Sequence, residues 1–327
     1  MKISFNLCKK SLLSSFLLLI VFLQISAADA THKTIQKIFT PHLSSEGAGA
    51  RVRRIIGSQQ LPRLDPFLML DNFFVKLPGG FPDHPHRGFD TVTYMLQGSF
   101  FHEDFMGNRG EIKAGDLQWM TAGRGVVHSE MPGSWEEESI GFQLWLNLAT
   151  KDKFCLPEYQ EISKDKIPVV RQDNVLVKVI AGESLGLKGP IVARTPALFL
   201  DVELQANTKF EQVIPKGWNS FSYVYEGEAF YGVWGEKVGT YSVAVFNKED
   251  NELLTIETRD KPAKFILIGG LPMNEPVYSR GPFVLSSQSD LEKTFREYSL
   301  GQNGFENAPG WRSQIRNMAN RNPNRDL

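Results

Sequence analysis

Residues 81–98 read FPDHPHRGFDTVTYMLQG, and residues 115–132 read GDLQWMTAGRGVVHSEMP. In an extended strand successive side chains alternate between two faces, so residues two apart share a face. His84 and His86 can therefore direct two imidazoles to one point, and His128 and Glu130 offer a second pair from another strand. Pro85 favours an extended, partly unpaired backbone between the first two histidines. The two segments predict a metal site built in two halves.

Three imidazoles and one carboxylate suit a borderline divalent first-row metal, and open coordination positions would admit O₂ or an organic substrate. We favour iron(II), although zinc, manganese, nickel and copper fit the same ligands. His102 is different, because it stands beside Glu103 and Asp104 without a histidine partner on its own face. We interpret it as a polar strand residue.

The segment between the two halves has a strong β pattern. Residues 90–96 form a run of strand formers that ends at Gln97-Gly98, and residues 107–110 predict a tight hairpin turn. Gly123 and Gly125 mark the last bend before His128. Short strands separated by glycine turns are typical of a small antiparallel barrel or jelly roll.

These motifs resemble the pirin family of bicupins. The similarity continues through residues 141–148, 180–182, 194–196 and 281–284. It implies an all-β fold of two tandem cupin (jelly-roll) β-barrels. It also implies that His84, His86, His128 and Glu130 bind a single mononuclear iron in the first barrel. Asp90 stands where many members carry Glu, and we do not expect it to be a ligand.

The first 30 residues have the pattern of a signal peptide. Lys2, Lys9 and Lys10 precede an apolar stretch at 11–25, and the small residues at 28–30 form a cleavage signal. We therefore expect an exported protein, periplasmic or secreted, with no stable membrane span. An uncleaved anchor is the alternative for the leader. For location, the alternative is the cytoplasm or nucleus, where other pirins are found.

The remaining chain is long enough for two domains. We predict a metal-binding cupin at 31–165, a second cupin without metal ligands at 166–305, and a basic, solvated tail at 306–327. Aligning residues 94–98 with 223–227 places His84 opposite Val213 and His86 opposite Pro215. No histidine follows His128, so a second site of the same type is excluded.

A short C-terminal helix is predicted at 290–298, with Ser289 or Asp290 as its cap. The 36 basic residues nearly balance the 37 acidic ones, which argues against a protein built to bind nucleic acid. Cys155 is the only thiol behind the leader, so no intramolecular disulfide is expected. We expect a monomer.

The resemblance implies a dioxygenase that cleaves a flavonol such as quercetin with O₂, so a small aromatic substrate is the expected partner. Glu130 is then also the candidate catalytic base, because a carboxylate within reach of a metal-bound hydroxyl can remove its proton. Phe81 and Gln143 are candidate substrate-binding residues, and both also fit ordinary core packing.

Two other functions fit the sequence. One, which the resemblance also implies, is a non-enzymatic, iron- and redox-responsive regulatory or protein-binding pirin that is similar to a transcription cofactor. The other is a stress or storage cupin whose metal is structural or vestigial. Fold alone does not choose among these functions, because cupins host many chemistries.

Overall fold

The structure is a computed structural model that describes residues 32–320. The predicted signal peptide and the last residues of the basic tail, 321–327, lie outside the described residues. Among the helices of residues 32–320, none is long and apolar enough to cross a bilayer.

Strands dominate the chain, as the glycine-punctuated pattern predicts. Those of the first half are β1 (Ile35–Phe39), β2 (Leu43–Glu46), β3 (Ala50–Ile56), β4 (Phe67–Val75), β5 (Phe81–His86), β6 (Phe89–Gln97), β7 (Ser99–Asp104), β8 (Arg109–Lys113), β9 (Leu117–Thr121), β10 (Val126–Pro132), β11 (Ser139–Asn147) and β12 (Glu158–Ile162).

The second half repeats the pattern. Its strands are β13 (Val169–Gln172), β14 (Val175–Ala181), β15 (Glu183–Ser184), β16 (Leu187–Lys188), β17 (Ala197–Leu204), β18 (Lys209–Val213), β19 (Asn219–Tyr231), β20 (Glu236–Gly239), β21 (Ser242–Phe246), β22 (Leu253–Glu257), β23 (Ala263–Gly270), β24 (Tyr278–Arg280) and β25 (Phe283–Leu285). One α-helix, α1 (Gln288–Leu300), follows, and short 3₁₀ helices lie at Thr150–Asp152, Lys164–Lys166 and Ile315–Asn320.

Two sandwiches result, and the prediction of an all-β bicupin with a short C-terminal helix is confirmed. In the first, a sheet with the order β12-β9-β6-β11-β4-β3-β2 faces a four-stranded sheet with the order β5-β10-β7-β8. In the second, the main sheet runs β1-β21-β19-β23-β17-β14-β13, and β18, β20 and β22 complete the barrel. The pairings of these strands are antiparallel, which leaves one face of each sheet for the core.

The two domains share apolar surface. One buried cluster contains side chains from both halves, and Phe67 packs edge-on against Phe221 with ring centroids 5.6 Å apart. Polar contacts cross the same interface, where the Tyr94 hydroxyl donates to Asp201 at 2.7 Å and the Tyr223 hydroxyl donates to Asn72 at 3.0 Å. Buried hydroxyls with partners avoid the cost of desolvation, so the two barrels form a continuous packed unit.

The two ends of the described segment cross between the domains. Strand β1 pairs with β21, so the first described strand belongs to the sheet of the second domain rather than the first. Conversely, the residues after β23 return to the first domain. The predicted solvated tail is packed at least in part, because Ser313 and Ile315 are both only 2% exposed. The predicted boundaries at 165 and 305 stay a prediction.

Helix α1 begins earlier than the sequence predicts. The Ser287 hydroxyl accepts the backbone N–H of Asp290 and caps the first turn, so the cap is neither Ser289 nor Asp290. Gly301 ends the helix in the left-handed conformation that glycine adopts without strain. Ser287 lies two positions before Ser289 and three before Asp290. Any of the three side chains can accept a hydrogen bond from a free N–H of the first helical turn, so the sequence pattern does not distinguish these positions.

The repeat is also displaced by one residue from the sequence alignment. In β18 the buried side chains are Phe210 and Gln212, while Val213 is 56% exposed, and the next buried residue is Ile214. A shift of one residue moves a strand's side chains to the opposite face. The residues whose side chains face the interior of the second barrel, as His84 and His86 do in the first, are therefore Gln212 and Ile214. Neither of them is a histidine.

Candidate metal centre

Strands β5 and β10 bring the two predicted halves together. They pair antiparallel with His128 opposite His84 and Val126 opposite His86. The register shifts between His128 and Glu130, so a local irregularity separates these two residues. His86 and His128 are 2% and 1% exposed, and their rings therefore face the barrel interior.

The three histidines converge on one point. One nitrogen from each of His84, His86 and His128 lies within 4.8 Å of the other two. The ring centroids are 4.4 to 5.0 Å apart, and the two Nε2 atoms of His84 and His128 are separated by 3.0 Å. His84 Nδ1 lies 2.9 Å from the Pro82 carbonyl oxygen, a contact that places the proton on Nδ1 and leaves Nε2 free to coordinate.

Several of these nitrogens lack a hydrogen bond. Within residues 32–320, neither ring nitrogen of His86 nor Nδ1 of His128 has a partner. Buried polar atoms are normally satisfied, and leaving one unpaired costs free energy. A cation at the point of convergence would pair one ring nitrogen of His86 and the Nε2 atoms of His84 and His128, which approach each other there, so the donor set fits a bound divalent metal.

The surroundings of the three histidines favour their neutral form. Burial lowers the pKa of His84, and it lowers the pKa of His86 and His128 well below the usual value. Charge repulsion from the neighbouring rings adds to the effect at His86 and His128. The imidazoles are therefore neutral at neutral pH, with lone pairs available to a metal.

Glu130 lies beside this cluster but outside the group of mutually close ligand atoms. Its Oε2 is 3.9 Å from His128 Nε2. The Thr93 hydroxyl donates to Glu130 Oε1 at 3.1 Å and lies 2.7 Å from Gln143 Oε1. Burial raises the pKa of Glu130. One carboxylate oxygen is thus held by Thr93, and the other faces the histidines.

A cavity of about 530 Å³ opens onto the site. Both predicted pocket residues, Phe81 and Gln143, line it together with His84, His86 and Glu130. Other lining side chains include Val52, Arg54, Met69, Asp71, Phe73 and Trp145. A volume of this size falls within the usual range of about 300 to 1,000 Å³ for small-molecule sites.

Sequence reasoning missed some of these cavity residues. Trp145 packs against His86, with ring centroids 5.4 Å apart, and forms one wall. Arg54 makes a two-pronged contact with Asp71, at 3.0 and 2.7 Å. The pairing of β3 with β4 places Arg54 opposite Asp71, and no local motif signals it. Thr93, which bonds Glu130, was also missed. The alternation of side chains between the two faces of β6 was an available signal for it.

The two residues that we set aside lie outside the cluster. His102 Nε2 is 2.8 Å from the Glu161 carboxylate, on the far side of β10 from β5. Asp90 is fully buried and accepts a hydrogen bond from the Trp119 indole at 2.9 Å. Burial raises the pKa of Asp90 to about 6. Its carboxylate is engaged in packing rather than directed to the histidines.

Comparison with known proteins shows similarity to pirins over most of the chain. Family models described as Pirin and Pirin C-terminal cupin domain match residues 49–146 and 199–304. Pirin-like protein 2 of Arabidopsis thaliana is 48% identical over 285 residues, which cover 86% of this chain and 88% of the relative. Pirin of Homo sapiens is 47% identical over 277 residues, which cover 84% of this chain and 94% of the relative.

Solved structures of two bacterial proteins are similar to this chain. Quercetin 2,3-dioxygenase from Acinetobacter baumannii has a TM-score of 0.75 and 29% identity, covering 83% of this chain and 98% of its own. A bacterial pirin from Escherichia coli in complex with nickel(II) has a TM-score of 0.59 over 72% of this chain and 99% of its own, and at 19% identity it shows the fold alone.

His86 provides the first test of the site. Loss of a group hydrogen-bonded to a metal ligand already costs about 10- to 100-fold in affinity. Replacing His86 with Ala removes a buried ligand, so affinity for a divalent first-row metal should fall by roughly 100-fold or more, measured by competition with a chelator. His42→Ala, at an exposed histidine, should bind as the wild type does. Equal affinity in His86→Ala and wild type would contradict the site.

Proposed function

This chain belongs to the pirin family, and from that membership and the histidine site we propose that it is a metal-dependent dioxygenase that cleaves a flavonol such as quercetin with O₂. The observation that carries the proposal is the convergence of three histidines, of which His86 and His128 are buried, beside the buried carboxyl group of Glu130 and at the wall of a cavity. The likeness to a solved quercetin 2,3-dioxygenase supports the reaction class.

The proposed ligands are His84, His86, His128 and Glu130, and the proposed metal is one iron(II) per chain. Imidazole nitrogen with carboxylate oxygen is a common donor set for non-haem iron(II), and the same donors accept zinc, manganese, nickel or copper. When bound, iron(II) would supply a Lewis-acid and redox centre to these residues. The chain itself supplies the orientation of the donors and the mainly apolar walls of the cavity.

The cavity suits a flat aromatic substrate. Phe81 and Trp145 offer aromatic surfaces, which pack well against flat rings. Arg54 and Asp71, at the same cavity, offer a charged pair to ring hydroxyls. Gln143 adds an amide between the aromatic walls and Thr93. A few polar groups in a mainly apolar cavity fix the orientation of a ligand.

Glu130 is the proposed base. Burial raises the pKa of Glu130 in the metal-free protein, and a carboxylate within reach of a metal-bound hydroxyl can remove its proton. Oε2 faces the histidines and would bind the metal, so the other oxygen, Oε1, which accepts the Thr93 hydroxyl, would take the proton of the flavonol hydroxyl. The same residue can thus position the substrate oxygen and remove its proton.

We also propose that the protein is exported after cleavage behind Ala30. The positive residues at 2, 9 and 10, the apolar stretch at 11–25 and the small residues at 28–30 support this. The mass of the mature chain tests it. A measured mass equal to that of residues 31–327 supports export, and a full-length chain in the cytosol contradicts it.

Oxygen uptake tests the reaction. Protein from Thr31 onward, loaded anaerobically with iron(II), should consume O₂ and quercetin together, seen as parallel loss of dissolved oxygen and of flavonol absorbance. Metal-free protein should consume neither. Stoichiometric iron binding with no consumption of either reagent would reject the dioxygenase and favour the regulatory function.

The variant Glu130→Gln isolates the role of the base. An amide keeps the size of the side chain and an oxygen donor but cannot accept the hydroxyl proton at neutral pH. Turnover in the same assay should therefore fall by roughly 100-fold or more, within the usual contribution of general base catalysis, while metal binding falls less. Wild-type turnover by Glu130→Gln would rule out Glu130 as the base.

A further inference from the structure

The chain returns to the first domain after completing the second barrel. We call residues 278–320 the C-terminal strap. Its strand β25 lies beside the end of β5, where the Arg87 N–H donates to the Pro282 carbonyl at 3.3 Å and the Val284 N–H donates to the Arg87 carbonyl at 3.0 Å. A Cβ at Gly88 would overlap the Val284 carbonyl oxygen, so glycine at this position permits the close approach.

Arg87 fixes one flank of the histidine pair. It follows His86 directly, its side chain is 0% exposed, and its guanidinium lies 4.5 Å from the Phe305 ring centroid. Its hydrogen-bond acceptors are Glu297 Oε2 (2.6 Å), Thr294 Oγ1 (3.0 Å), Asn303 O (2.6 Å) and Arg124 O (2.6 Å). The first three acceptors belong to the strap. A buried guanidinium needs such partners, because an unpaired buried charge is costly.

Asp83 fixes the other flank. It directly precedes His84, and the Ser313 hydroxyl donates to its Oδ1 at 2.6 Å. The Ser313 N–H lies 3.3 Å from both carboxylate oxygens, and Arg316 Nη1 lies 3.6 Å from Oδ2. Charge-assisted hydrogen bonds of this kind are shorter and stronger than neutral ones.

The strap therefore holds the residue before His84 and the residue after His86. The segment between these two flanks carries both histidines. His84 Nδ1 bonds to the Pro82 carbonyl, while the ring nitrogens of His86 have no partner among the described residues. The backbone of the segment also pairs with β10, and this pairing is irregular next to His128. Groups more than 200 positions away in sequence thus define where this segment lies.

We propose that the C-terminal strap is a structural part of the metal centre, and that Glu297 and Ser313 are positioning residues that set the placement of His84 and His86 through Arg87 and Asp83. This inference rests on metal binding at the proposed site and not on the reaction.

Cobalt(II) binding to the full chain tests the inference. Glu297→Gln removes the charge that pairs with Arg87, and Ser313→Ala removes the hydroxyl that binds Asp83. Each change should weaken cobalt(II) binding by about 10-fold, as expected for groups that orient ligands. Each should also alter the visible absorption of the bound cobalt, which reports coordination geometry.

Two matched variants serve as controls. Glu292→Gln changes an exposed glutamate of the same helix, and Ser299→Ala changes an exposed serine near its end. Both should bind cobalt(II) with wild-type affinity and spectrum. Ser313→Thr keeps the hydroxyl and should restore the affinity that Ser313→Ala loses.

A purely stabilising role for the strap gives a different result. If Glu297→Gln and Ser313→Ala lower the melting temperature of the metal-free protein but leave the affinity and spectrum of bound cobalt unchanged, the inference is wrong. Should Glu297→Gln fail to fold, Ser313→Ala and its threonine rescue decide alone. A failed flavonol assay leaves this test intact, because cobalt binding does not require turnover.

Discussion

The antiparallel pairing of β5 with β10 in one particular register is the constraint on which the candidate site depends. It sets His128 opposite His84 and keeps the rings of His84, His86 and His128 on the inner face of the barrel. A slip of one residue would turn these side chains to the other face. The second barrel shows the same scaffold with other occupants, since β18 and β22 pair similarly and present Gln212 and Leu254 to the interior. The chemistry lies in the inward-facing residues and not in the barrel.

The two domains also depend on each other at their ends. Strand β1 completes the sheet of the second domain, while the C-terminal strap packs on the first. Buried aromatic side chains from both halves meet in one cluster between these crossings. The polypeptide that follows the second barrel therefore flanks the histidine segment of the first.

The sequence predicted the features that are local along the chain. Alternation of side chains along a strand, with glycine turns, identified the three histidines, the β-rich fold and the neighbouring carboxylate. Long-range pairing was out of reach. Arg87 and Glu297 are 210 positions apart, and neither stands in a motif that suggests the other. Gln212 was missed because the two halves were aligned on the glycines of their hairpins. Such an alignment can be wrong by one residue, and a shift of one residue exchanges the inward-facing and outward-facing side chains of a strand.

We propose that four side chains of the first barrel hold one metal. X-ray absorption at the iron edge, together with the anomalous signal from crystals of the iron(II)-loaded protein, measures this directly. We expect one iron per chain, bound by one nitrogen each from His84, His86 and His128 and by a carboxylate oxygen of Glu130. Iron bound elsewhere in the molecule, or at this place without Glu130, would contradict it.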